Sequence, residues 1–156
     1  MNLISFTILG IPQPYKAPHT GKTKSGHMIH YDPIEEKKQV IAWEMRKAAH
    51  VYTTVGNGLR QWFFPLDDKP LRVTYRFYFP IPKAQAKKIK SGEHYTKRPD
   101  TDNLQKCYND CLQLAGIISD DKFIVSTCAI KYYGELPRTE VDILILEKDG
   151  EKDEIL

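Results

Sequence analysis

Residues 71–80, LRVTYRFYFP, alternate without a break. Leu71, Val73, Tyr75, Phe77 and Phe79 fall on one face, and Arg72, Thr74 and Arg76 on the other. That period of two specifies a strand with one apolar face. Five large apolar side chains in a row also need a second layer to cover them. The chain must therefore supply a layer that covers this face.

Two helical patterns are present. Asp32-Pro33-Ile34-Glu35 combines a capping residue, a proline suited to a first helical position and an acid placed to complete a capping box. Ile34, Ile41, Met45 and Ala48 continue it as an apolar stripe to about residue 50. A second helix starts near Asn103 and stops near Gly116, with Leu104, Cys107, Tyr108, Cys111, Leu114 and Ala115 on its core half. A short lysine-rich helix is expected at 83–90. Further strands are expected at 3–9, 123–133 and 140–147. The last, VDILILE, is apolar on both faces and reads as an interior strand. Residues 10–32 and 51–69 read as long loops, the first rich in proline, glycine, lysine and histidine. The expected fold is α+β: one domain over 1–148, a small mixed β-sheet with two main helices packed on it, followed by an acidic tail at 149–156.

Composition excludes several classes. A chain of 156 residues with 41% hydrophobic and 28% charged residues suits one ordinary globular domain. No apolar run is long enough to span a bilayer, and the N-terminus lacks a signal pattern, so a cytoplasmic protein is expected. Cys107, Cys111 and Cys128 form neither a disulfide framework nor a zinc motif. Net charge is only +3, but it is unevenly spread. Residues 83–98 hold Lys83, Lys87, Lys88, Lys90, Lys97 and Arg98 against Glu93 alone.

Directly after this basic block stands RPDTDNLQKCYND, with Asp100 and Asp102 at a helix start. One aspartate there is ordinary capping. Two carboxylates at i and i+2 repel unless a cation or proton separates them, and Mg²⁺ prefers such hard oxygen ligands. A third acid is available from Asp120 or Asp121, although a turn before a strand also favours aspartate. Lys106, one turn along, either pairs with Asp102 or contacts a phosphate. The order of acids and glycines does not match an EF-hand, and no phosphate-binding glycine loop or serine nucleophile motif occurs.

Residues 97–125, KRPDTDNLQKCYNDCLQLAGIISDDKFIV, resemble the RusA-type Holliday junction resolvases, many of them from phages and prophages. The matching features are Asp100, Asp102, Asn103, Leu104, Lys106, Asp110, Gly116, Asp120 and Asp121. The resemblance extends over roughly 3–147. It implies a homodimeric endonuclease that uses Mg²⁺, or Mn²⁺ as a substitute, to make paired nicks in a four-way junction. It also implies that Asp100, Asp102 and Asp121 are metal-binding and catalytic, with Asp120 beside them and Lys106 as the catalytic lysine. DNA contacts are expected from Asn103, Lys16, Lys22, Lys24, Lys87, Lys88, Lys97 and Arg98. Two alternatives stay open: a non-catalytic branched-DNA-binding or phage regulatory protein on the same fold, and a phosphodiesterase acting on RNA or flaps.

Overall fold

The computed structural model describes residues 2–49, 53–55, 58–60 and 64–148. Its core is a four-stranded mixed sheet covered on one face by two helices. The strands are β1 (Leu3–Leu9), β6 (Leu71–Pro80), β7 (Ile124–Gly134) and β8 (Arg138–Ile145), in the spatial order β1-β8-β6-β7. β8 runs antiparallel to both neighbours, whereas β6 and β7 are parallel. A parallel pair needs a crossover connection. Helix α2 (Thr101–Leu114) provides it, and helix α1 (Glu35–Ala49) packs beside α2.

The alternation of β6 decides how the layers meet. Leu71, Val73, Tyr75 and Phe77 have no exposed surface, and Phe79 has almost none. Each such side chain contributes about 1.5–3 kcal/mol of burial. Tyr108 of α2 packs its ring edge against both Tyr75 and Phe77. The Tyr75 hydroxyl donates to Asn109 Oδ1 at 2.6 Å, so the buried polar atom is satisfied. On α2 the buried set is Leu104, Cys107, Tyr108, Cys111 and Leu112, followed by Ala115. Leu112 replaces the expected Leu114, which is 40% exposed. β8 is interior by pairing alone. Val141, Ile143 and Ile145 are buried, while Asp142 and Leu144 on the opposite face are only half-buried.

Several expected loops are ordered differently. Within 10–32 lies a two-stranded ribbon, β2 (His19–Lys22) paired with β3 (Met28–Tyr31). Within 51–69 lies a hairpin, β4 (Thr53–Val55) paired with β5 (Gly58–Arg60). The lysine-rich helix expected at 83–90 reduces to one 3₁₀ turn, Lys83–Gln85. It has no buried residue to hold a longer helix against the domain. The acidic tail lies outside the described residues. No helix among them is long and apolar enough to cross a membrane.

At the start of α1, Asp32 Oδ1 accepts the Ile34 amide at 2.9 Å, but Glu35 does not close a capping box. Glu35 instead accepts from Gln39 and lies 3.8 Å from Lys38. The Lys38 ammonium is nearly buried and pairs with Asp32 at 2.5 Å. That bond is the main reason the Asp32 carboxyl titrates below its usual range. Burial pulls Lys38 down, yet the Asp32 bond and the nearby carboxylates outweigh it and leave Lys38 raised. Asp32 thus contributes stability above the unfolded carboxylate value near pH 4, lost as pH falls through its lower folded value. Lys38 contributes below about pH 10, lost as pH rises through its higher folded value. Lys38→Met is expected to cost about 3 kcal/mol at pH 7. In urea unfolding the difference from the unsubstituted protein should shrink below about pH 4. A cost independent of pH would mean the loss is packing alone.

Candidate active site

α2 begins two residues earlier than its apolar pattern suggests, so Asp100 occupies the N-cap position and Asp102 the first turn. Asp100 has extended backbone but its side chain makes no capping hydrogen bond. Asp102 Oδ1 accepts the neighbouring Asn103 amide at 2.9 Å. The helix start is therefore acidic without using the Asp100 carboxylate as a cap. It also carries the positive end of the helix dipole, which favours anionic groups.

Lys106 lies one turn further along. Among the described residues it forms no ion pair with Asp102. Its ammonium sits 4.8 Å from the centre of the Tyr15 ring. Tyr15 is tied to the same turn, because its amide donates to the Asn103 carbonyl at 2.9 Å. Sequence reasoning missed Tyr15; its one signal was an aromatic residue inside a basic, proline-rich segment. Pro14, Tyr15, Lys16, Arg98, Pro99, Asp100 and Asn103 line an open cleft of about 410 Å³. Thus Lys16 and Arg98, both expected to contact DNA, flank Asp100. Lys22 and Lys24 lie on the exposed ribbon and its tip. Lys87, Lys88 and Lys97 are exposed along the segment between β6 and α2.

The second pair of acids lies elsewhere. Asp120 caps a 3₁₀ turn, Asp121–Phe123, that leads into β7. Its Oδ1 accepts the Lys122 amide at 2.9 Å, the main cause of its lowered pKa. Asp121 is exposed beside it. Ile124 pairs with Leu71 at the start of β6, whereas the start of α2 lies near Lys131, whose ammonium reaches the Pro99 carbonyl. An α2 of 14 residues spans about 21 Å. Asp100 and Asp102 are therefore about 20 Å from Asp121 within one chain. No group of three or more His, Cys, Asp or Glu among the described residues is placed to hold a metal ion. Asp110 lies midway along α2, toward Lys38, and adds to the charge around that lysine.

The donor chemistry at the start of α2 still fits Mg²⁺. That ion is commonly held by one or two carboxylates, with water and substrate phosphate completing its shell. Asp100 and Asp102 provide two hard oxygen ligands, and the Asp100 carboxylate is not used as a cap.

Comparison with known proteins agrees with the sequence resemblance. A family model described as "Endodeoxyribonuclease RusA" matches residues 13–144. The chain is also 30% identical over 152 residues to "Uncharacterized protein YqaN" of Bacillus subtilis (strain 168), covering 92% of this chain and 96% of that protein.

Proposed function

Because the chain belongs to the RusA endodeoxyribonuclease family, we propose that it is a Mg²⁺-dependent homodimeric endonuclease that resolves four-way DNA junctions by paired symmetric nicks. The observation that carries this reading is the start of α2. An N-cap aspartate free of capping stands beside a second aspartate, a lysine one turn on, and a cleft walled by Lys16 and Arg98.

In this reading Asp100 and Asp102 hold the ion. When bound, the ion supplies an activated water and charge for the leaving oxygen. Mn²⁺ offers the same coordination to hard oxygen ligands. In this reading the positive end of α2 and the Asn103 side chain meet the scissile phosphate, as helix starts favour phosphates. Lys106 neutralises charge that grows on that phosphate in the transition state. Asp120, already held by the Lys122 amide, shapes the turn that presents Asp121.

A second copy explains how Asp121 joins the site. β7 is an edge strand of the sheet. Its outer edge is bonded at Lys131 and Tyr133 to residues 92–95. Residues 124–130 have no strand on that side among the described residues. Such an edge accepts another strand. A two-fold copy of β7 paired there antiparallel brings the partner's Asp121 toward Asp100. It also gives the dimer two sites for two strands.

The basic segments give affinity. No acid occurs between residues 10 and 31, and the ribbon formed there is exposed on both strands. A two-stranded ribbon of that kind fits a DNA groove. If Lys16, Lys22, Lys24, Lys87, Lys88, Lys97 and Arg98 each neutralise a phosphate, log K should fall against log salt with a slope of about −6. Gel-shift titrations across salt check this, and a flat dependence contradicts it. For the substrate, a four-way junction, a flap, a linear duplex and an RNA hairpin should be offered together. Selective paired nicking of the junction is expected. Equal cleavage of the flap or RNA reassigns the substrate.

A further inference from the structure

Three successive carbonyls, those of Lys97, Arg98 and Pro99, immediately precede Asp100. Each accepts a hydrogen bond from a side chain anchored at β7. The Lys131 ammonium donates to the Lys97 carbonyl at 2.7 Å and to the Pro99 carbonyl at 2.8 Å. The Tyr95 hydroxyl donates to the Arg98 carbonyl at 3.1 Å. Lys131 also lies 5.6 Å from the centre of the Tyr95 ring, and the Tyr95 amide donates to the Lys131 carbonyl at 3.0 Å. Tyr95 is itself fixed, stacked on Phe79 at 4.2 Å and meeting Tyr133 edge-on.

This geometry is more than a loop needs for anchorage. An ammonium has three donors, and here two are used on carbonyls two residues apart, those of Lys97 and Pro99. Carbonyls of an exposed segment are ordinarily left to water. Binding all three removes the rotational freedom of the residues that lead into Asp100. A pair of carboxylates that would share one cation needs that restraint, because small errors in ligand direction weaken a metal site.

We infer that Lys131, with Tyr95, is a positioning residue that sets the direction of Asp100 and so the metal affinity of the site. This rests on the reading of Asp100 and Asp102 as metal ligands. Lys131 acts through the 97–99 backbone and touches neither metal nor substrate. It sits on β7, so the strand that joins the two copies in the proposed dimer also fixes the ligand segment.

The test compares Lys131→Met, which keeps length but has no donors, with Tyr95→Phe, which keeps the ring and loses one bond. Mn²⁺ binding to the DNA-free protein is measured by calorimetry, and cleavage is measured across a Mg²⁺ titration. Lys131→Met should weaken Mn²⁺ binding and raise half-saturating Mg²⁺ by roughly 10–100-fold. The maximal rate at saturating Mg²⁺ should stay within about threefold of the unsubstituted protein, as expected when only ligand direction is lost. Tyr95→Phe should shift both quantities in the same direction by less. Junction affinity in EDTA should not change. Unchanged Mn²⁺ binding in Lys131→Met overturns the inference, as does a loss of junction affinity in EDTA, which makes Lys131 a phosphate contact. Asp102→Asn is the control that separates the two readings. If it leaves Mn²⁺ binding intact, the metal site itself is wrong. If it abolishes binding while Lys131→Met binds normally, the metal site stands and the positioning role fails.

Discussion

Asp102→Asn is expected to reduce junction cleavage by about 10³-fold, because losing a proposed metal ligand forfeits several kcal/mol of transition-state stabilisation. Junction binding should be unchanged or tighter, since the substitution removes one negative charge facing a phosphate. The swap keeps the side chain's size and its ability to accept the Asn103 amide, so the helix start should survive. Asp100→Asn should behave alike. Asp120→Asn should cost less, because Asp120 caps the turn before β7 rather than standing at the start of α2, and an asparagine keeps that cap. Single-turnover cleavage with a gel shift in Ca²⁺ separates the two effects. A loss below tenfold for Asp102→Asn would return that residue to ordinary helix-start chemistry.

The second large effect concerns assembly. Asp102→Asn and Asp121→Asn are each expected to be inactive alone. Mixed and allowed to exchange subunits, they should regain roughly one quarter of the single-strand nicking rate. In the proposed dimer half of the pairs are then mixed, and each mixed pair holds one intact site of two. Paired nicking should stay absent. If Asp121 served its own chain's Asp102, both sites of every mixed dimer would carry one defect and nothing would return. The separation of about 20 Å along α2 argues for recovery.

The fold was legible where one periodicity governs a long stretch. The alternation of β6 and the apolar half of α2 follow from spacing, and the structure differs only at Leu112 and Leu114. The ribbon β2–β3 was not legible, because its strands are short and bury nothing, so no apolar pattern marks them. The turn at 83–85 looked helical for the opposite reason: lysine and alanine favour helix locally, but no core contact holds one there. In the site, Asp100, Asp102 and Lys106 could be singled out from an unusual pair of acids before a helix. Tyr15 and Lys131 could not. Tyr15 lies 88 residues from its partner Asn103, and Lys131 lies 34 and 32 residues from the Lys97 and Pro99 carbonyls, so only the folded chain brings them together. Spacing also hid that Asp121 lies at the far end of α2. That separation is a property of the crossover between parallel strands.

The most direct test is cleavage of a labelled immobile four-way junction by the purified protein, with Mg²⁺ or with EDTA. Nicks at symmetric positions in two opposing strands are expected with Mg²⁺, and intact strands with EDTA. A junction that is bound but uncut in both Mg²⁺ and Mn²⁺ would contradict the proposed activity, and would make the protein a binder of branched DNA rather than an enzyme.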